Sequence, residues 1–276
     1  MISIVVFFLI ALVPSVIGAI SGIGGGIIIK PVLDMAAGSS LAGTILGDAV
    51  LGAREINFLS GCTVLSMSAV SLLRSRKNGV RLEGSRGLAL AAGAVIGGIA
   101  GRMIFSLAVR AIHRNLIGTI QSSILIIMTV CVIVYILKKN TLTGKNLQFL
   151  PLCALMGLGL GLVSAFLGIG GGPINIMVIS FFLSMDTKTS ALHSLFVIFL
   201  SQLASLLITI GEGIPPVPVA GLLAMIPGGI AGALIGSAIV KLLRNDQVDR
   251  LFNILMMVVI ALSVYNLVNF IKGGFV

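Results

Sequence analysis

The chain has 276 residues, of which 58% are hydrophobic and only 9% charged, and its mean hydropathy is +1.20. So few polar side chains cannot cover the surface of a water-soluble globule, which excludes a soluble enzyme. The net charge of +10 comes from short basic clusters between apolar runs, a pattern typical of cytoplasmic loops and not of a nucleic-acid-binding face. With no Trp, two Tyr and 35 Gly, the chain also lacks the aromatic girdles of an outer-membrane β-barrel. We expect an all-α polytopic membrane protein with no nucleic-acid partner.

Ten apolar runs follow one another along the chain and predict ten helical segments. They cover residues 2–20, 27–37, 56–73, 87–108, 116–137, 149–168, 173–184, 190–210, 217–243 and 249–271. A spanning helix needs about 20 residues, so the runs 27–37 and 173–184 are too short to cross a bilayer easily. Cys62, Cys131 and Cys153 stand singly inside apolar runs without metal-ligand spacing, so we expect neither a metal nor any other cofactor.

The two short runs belong to an internal repeat. Each directly follows the string GIGGG, which occupies residues 22–26 and again 168–172. The segments 60–73 and 93–101 also resemble 194–207 and 228–236. The repeat predicts a first membrane unit at 1–140 with an extra segment at about 38–55, a cytoplasmic linker at 141–148 and a second unit at 149–276. The loop 74–86 is strongly basic while its counterpart 208–219 has no basic residue, which predicts inverted halves with both termini outside.

The glycine strings predict breaks in membrane helices. Three consecutive glycines let the backbone leave the helix and free N–H groups, which is tolerated only beside protein or a polar cavity. Pro173 directly follows the second string and favours a helix start there. Two helix N-termini meeting at mid-membrane would form an anion site from backbone N–H groups and helix dipoles. Its glycines are Gly24, Gly25, Gly26, Gly170, Gly171 and Gly172. The alternative is that GIGGG only permits tight helix crossing.

Lys30 is the one cation predicted near a break. It stands one helical turn after Gly26 and is a candidate substrate-binding residue. The alternatives are snorkelling to an interface or an i, i+4 pair with Asp34, which would hold the lysine when no substrate is bound.

Other polar residues inside apolar runs complete the candidate set. Ser60, Ser194 and Asn175 are candidates for substrate binding through hydroxyl or amide groups, and Gln202 for gating, although bonds within or between helices are equally consistent with these positions. Arg54 is a candidate guard of an entrance, although the stretch containing Asp48, Arg54 and Glu55 is better explained as a neutralised surface loop. His193 is better explained as a packed polar residue than as a proton carrier.

The duplicated glycine break, each copy followed by a short apolar helix, and the later helices GAVIGGIAG and GGIAGALIG resemble the TauE/SafE family of sulfite exporters over essentially the whole chain. The resemblance implies transport of small organic or sulfur-containing anions such as sulfite, thiosulfate, sulfoacetate or other sulfonates across a bacterial plasma membrane. The family pattern has an apolar residue and then Pro after the glycines. This chain instead has Lys30-Pro31 in the first half and Ile176-Met177 in the second.

The leading hypothesis is therefore a secondary transporter whose partners are a small anion and the lipid bilayer, with a homodimer left open. No Walker motif is present, so ATP is not the energy source within this chain. A passive anion channel is the runner-up. An intramembrane hydrolase using Ser60 with His113 or His193 is disfavoured, because neither GxSxG nor HExxH occurs.

Overall fold

The structure is a computed structural model that describes residues 2–37, 51–77, 84–138 and 144–273. These residues form ten α-helices and no strand, which confirms the all-α prediction, and every predicted apolar run is a helix. Eight of the helices are long and apolar enough to cross a membrane, which confirms a multi-pass membrane protein. The helices are α1 (Ile2–Ser21), α2 (Gly26–Ala37), α3 (Ala53–Lys77), α4 (Gly84–Ala111), α5 (Arg114–Lys138), α6 (Leu150–Leu167), α7 (Gly172–Leu183), α8 (Thr187–Glu212), α9 (Val219–Ile239) and α10 (Asn245–Lys272).

The two most extensive helix interfaces pair α1 with α9 and α4 with α6, and both are built on glycine. In each interface three glycines at four-residue spacing bring one backbone against the next. Gly228, Gly232 and Gly236 of α9 contact Phe8, Leu12 and Val16, whereas Gly93, Gly97 and Gly101 of α4 contact Ala154, Leu158 and Leu162. Without side chains between them, the helices gain dispersion contacts that lipid cannot supply. Each interface joins a helix of the chain's first half to one of its second half.

The residue numbers at these contacts rise together, so α1 runs parallel to α9 and α4 runs parallel to α6. The same comparison gives parallel α3 and α9, where Leu59 and Thr63 face Gly221 and Gly229. It also gives parallel α4 and α8, where Gly87 faces His193 and Gly98 faces Ser201. Since Gly61 faces Gln202 and Leu206 while Val64 and Ile198 meet at Gly24, α3 and α8 run in opposite directions. Helices α1, α3 and α9 therefore point one way, and α4, α6 and α8 point the other way.

The bundle has two chemically different ends. We call the end where α3 and α9 finish and α8 begins the basic end, because Arg74, Lys188 and Lys241 lie there. The end at which α4 and α8 finish is called the opposite end. It holds Arg102 and Glu212. The chain folds back on α1 at the first glycine break, because Gly25, just before α2, lies against Pro14 and Ser15 of α1.

Arg54 and Glu55 correct the loop interpretation made from the sequence. Both lie in the first turn of α3, where a Glu55 carboxylate oxygen accepts the Gly52 N–H at 2.9 Å. A carboxylate in the first turn satisfies a free N–H and complements the positive end of the helix dipole. Asp48 lies outside the described residues.

Candidate anion site and its two mouths

The two glycine breaks meet at the centre of the bundle. A Cβ on Gly26 would lie 2.5 Å from the carbonyl oxygen of Ile169, and a Cβ on Gly172 would lie 3.2 Å from Ile23. Gly24 and Gly170 adopt positive φ angles of 82° and 83°, in the left-handed region that glycine enters without steric cost. Glycine therefore supplies both the chain reversal and the close approach of the two breaks.

The breaks leave backbone donors available. Among the described residues, the N–H groups of Gly24, Gly170 and Gly171 donate to no backbone carbonyl, and the Gly25 N–H has only the Met67 sulfur at 3.4 Å. Helix α7 begins at Gly172 with Pro173 in its first turn, close to the predicted start, and α2 begins at Gly26. Unused N–H groups at helix N-termini carry the positive end of the helix dipole and favour anions.

Five of the buried side chains whose polar atoms have no hydrogen-bond partner in the described structure bear on the candidate site. They are Asn57, Ser60, Asn175, Ser194 and Gln202. A Cβ on Gly168 would lie 2.5 Å from the Asn57 amide, and one on Gly171 would lie 2.7 Å from the Asn175 amide, so both amides lie against the second break. Buried polar groups are nearly always paired in a completed structure, so unpaired ones mark a position where a ligand or water belongs.

Asn57 is missed by the sequence analysis, although its position three residues before Ser60 inside an apolar run could have signalled it. Its counterpart in the second half is Ala191, which is small and lies against Gly22. The two halves therefore present different surfaces to their respective breaks.

Lys30 lies on the face of α2 that contacts Gln121 of α5, away from the unpaired amides of Asn57 and Asn175. Its ammonium binds an Asp34 carboxylate oxygen at 3.1 Å and the Gln121 side-chain oxygen at 2.9 Å, while Gln121 donates to the Phe166 carbonyl. The predicted Lys30–Asp34 pair is thus present, and both side chains are less than 10% exposed. Lys30 borders a small gap that also touches Ile169, so it neighbours the second break but is already held by two partners.

His193 is packed, as expected. The residue is 1% exposed, and its Nδ1 lies 3.0 Å from the Thr189 carbonyl oxygen one turn earlier in α8.

The basic end opens into a cavity of about 410 Å³ that leads towards the first break. Ala191 lines this cavity and lies directly against Gly22. Two lysines line it as well: Lys241 and Lys188, whose ammonium also binds the Leu243 carbonyl oxygen at 3.0 Å. A wide cavity with two cations raises the local concentration of anions. The sequence analysis did not single out either lysine.

An ion pair joins two helices at the opposite end. Arg102, only 3% exposed, meets the Glu212 carboxylate at 3.4 Å, and Ser106 donates to the same carboxylate oxygen at 3.0 Å. Beside them the Arg54 guanidinium binds the Gly213 carbonyl oxygen at 3.2 Å. These contacts tie the ends of α4 and α8 to the start of α3.

One family model, that of the sulfite exporter TauE/SafE family, matches residues 7–263. The chain belongs to the TauE/SafE family. The match spans both glycine breaks and most of each of the eight long apolar helices, and it identifies a membrane transporter of the sulfite exporter type. No curated protein and no solved structure matches the chain. TauE/SafE membership identifies the class of protein but neither the anion nor the residues that bind it.

Proposed function

We propose that this TauE/SafE protein is a secondary transporter of small organic or sulfur-containing anions, such as sulfite, thiosulfate, sulfoacetate or other sulfonates. The anion binds at the glycine breaks, where backbone N–H groups, Ser60, Ser194 and Asn175 supply hydrogen bonds. Dipoles of two partly buried helix N-termini favour an anion by up to about 2 kcal/mol each. Asn57 joins this set because its amide is buried without a partner against Gly168.

The observation that carries the proposal is the difference between the two mouths. The basic end has a cavity lined by Ala191, which lies against Gly22, whereas the opposite end holds the Arg102–Glu212 ion pair. A carrier must expose its site to one side at a time, and a continuous pore would be open at both ends. This difference between the two ends supports a carrier over the passive channel.

We further propose that the two halves form an inverted repeat. The opposite directions of α1 and α6 support this. The packing supports it as well, because the first helix of each half, α1 or α6, packs on the glycine-rich helix of the other half, α9 or α4. In such a repeat, one break is approached from each side of the membrane.

The positive-inside rule then assigns the basic end to the cytoplasm, with both termini external, in a bacterial plasma membrane. Arg102 and Arg114 lie at the external end, against the positive-inside rule. Their local contacts account for this position, since Arg114 binds the Leu51 carbonyl oxygen and Arg102 binds Glu212.

Counterflow in proteoliposomes tests the proposal. Vesicles preloaded with unlabelled sulfite, thiosulfate, sulfoacetate, sulfate or acetate are diluted into the same labelled anion, and saturable uptake driven by exchange is expected for a subset. A channel would give linear flux without counterflow. Absence of exchange for every oxyanion would refute the proposed function.

Lys241→Gln tests the role of the basic cavity. Losing a cation from the cavity is expected to raise the KM on the basic side several-fold with little change in maximal rate. The reason is that Lys241 attracts the anion into the cavity and takes no part in the later steps of transport. Lys272→Gln, which removes an exposed cation at the end of α10, is the matched control and should leave the KM unchanged. Equal effects of the two substitutions would contradict a role for this cavity.

A further inference from the structure

The guanidinium of Arg102 lies 5.3 Å from the centre of the Phe105 ring, and the ion pair with Glu212 leaves its Nε without a hydrogen bond among the described residues. Of the five N–H donors of Arg102, one contacts Glu212 at 3.4 Å, and the Nε of this buried side chain has no partner. An arginine buried for structure alone is normally saturated with short hydrogen bonds, because an unpaired charged donor is costly at low dielectric. The Arg102 guanidinium therefore has N–H groups that are free to bind an oxyanion through two parallel hydrogen bonds.

The Glu212 carboxylate occupies a position built for an anion. It accepts from Ser106 and Arg102, and Arg54 binds the carbonyl oxygen of the next residue, Gly213, at 3.2 Å. Two guanidinium groups against one carboxylate leave this cluster with a surplus positive charge. A carboxylate from the protein thus stands where the carboxylate or sulfonate of a soluble anion would fit.

The repeat places matching positions at the two mouths. Arg54 corresponds to Lys188 at an offset of 134 residues, and Ser106 corresponds to Lys241 at an offset of 135. Lys188 and Lys241 line the open cavity at the basic end. Arg54 and Ser106 are therefore the counterparts of residues that line an anion-attracting mouth.

We propose that Arg102 and Ser106, with Arg54 beside them, form an anion-binding site at the opposite mouth, and that Glu212 fills this site when the mouth is closed. An incoming carboxylate or sulfonate anion displaces the Glu212 side chain, which frees the end of α8 from α4 and opens the mouth. Glu212 acts as a tethered competitor of the substrate. This inference rests on the proposed transport function only for its physiological meaning, because binding at this site can be measured without transport.

Protection of a thiol at Ser106 measures binding directly. Ser106→Cys is placed in a chain whose native cysteines are replaced by alanine, the protein is reconstituted in phosphatidylcholine vesicles, and its reaction with a neutral maleimide is timed. Sulfoacetate, sulfate and acetate are titrated against chloride at constant ionic strength. We expect saturable protection by at least one oxyanion.

Two further substitutions separate an anion site from a structural ion pair. Glu212→Gln removes the competitor and should lower the half-protecting concentration about tenfold, whereas Arg102→Gln should abolish protection. Arg102→Lys keeps the charge but loses the planar fork and should retain only part of the protection. Arg110→Gln removes an exposed cation farther along α4 and is the control for general surface charge, with no change expected.

A purely structural pair predicts a different pattern. Glu212→Gln and Arg102→Gln would then both accelerate the maleimide reaction, and no anion would protect in either variant, which would overturn the proposal. Protection that followed the fraction of phosphatidylglycerol in the vesicles instead of the soluble anion would assign the site to a lipid headgroup and overturn it as well. Saturable protection without any counterflow would keep this site and refute the transport function, so the two failures are distinguishable.

Discussion

Gly157 and Gly159 stand two residues apart in α6 and differ sharply in what surrounds them. A methyl group on Gly157 would overlap the carbonyl oxygen of Leu90 in α4, whereas a methyl group on Gly159 would meet nothing within 4 Å. Overpacking against a fixed backbone costs about 1–3 kcal/mol, and replacing glycine by alanine in a helix returns up to about 1 kcal/mol. We expect Gly157→Ala to lower the free energy of unfolding by about 1–2 kcal/mol and Gly159→Ala to raise it slightly.

Thermal unfolding in detergent checks this pair. A thiol-reactive fluorophore reports on Cys153, which is buried in the same helix, once the exposed Cys131 and the partly buried Cys62 have been replaced by alanine. The melting temperature should fall for Gly157→Ala and stay level or rise for Gly159→Ala. Equal melting temperatures for the two variants would refute the backbone contact between α4 and α6 as the basis of this interface.

The remaining predictions concern charges. Lys30→Ala leaves Asp34 buried without its ammonium partner and should cost about 3–5 kcal/mol, whereas Lys30→Met combined with Asp34→Leu should recover most of that loss. If the double variant melts no higher than the single one, the ion pair is not the cause. Asp186 caps α8 by accepting the Lys188 and Thr189 N–H groups, so Asp186→Ala should cost about 1 kcal/mol. Burial raises the pKa of Asp186, but these hydrogen bonds outweigh burial and hold the pKa below its ordinary value. The stabilisation is therefore complete above the unfolded-state pKa and is lost as pH falls through the lower folded-state pKa. Melting temperatures of the wild type and Asp186→Ala should thus converge in acid, and a constant difference down to the lowest pH would contradict the assignment.

The Lys30 prediction limits what transport assays of that residue can show. Loss of counterflow in Lys30→Ala would be expected from loss of the fold alone, because Asp34 and Gln121 would remain buried without their partner. The double variant is the informative one. If it folds and still exchanges anions, the site consists of backbone N–H groups and neutral side chains.

The polar residues show how far sequence reasoning reaches. The i, i+4 spacing of Lys30 and Asp34 is a local property of one helix, so their ion pair could be predicted from the sequence. The contact between Arg102 and Glu212 joins residues 110 positions apart on two helices, and no local pattern indicates it. Asn57 illustrates the same limit, because its lack of a partner depends on Gly168 of the other half lying against it.

Hydropathy and composition alone determined that the chain is an all-α membrane protein, because a bilayer requires every spanning backbone to satisfy its own hydrogen bonds. The glycine strings determined where two helices break, because positive φ angles and missing side chains are properties of glycine itself. The tertiary structure decided how α1 pairs with α9, which polar groups of the described residues stay unpaired, and which residues form the ion pair between α4 and α8. Those features arise from contacts between distant segments, which depend on how whole helices pack and not on the residues within any one of them.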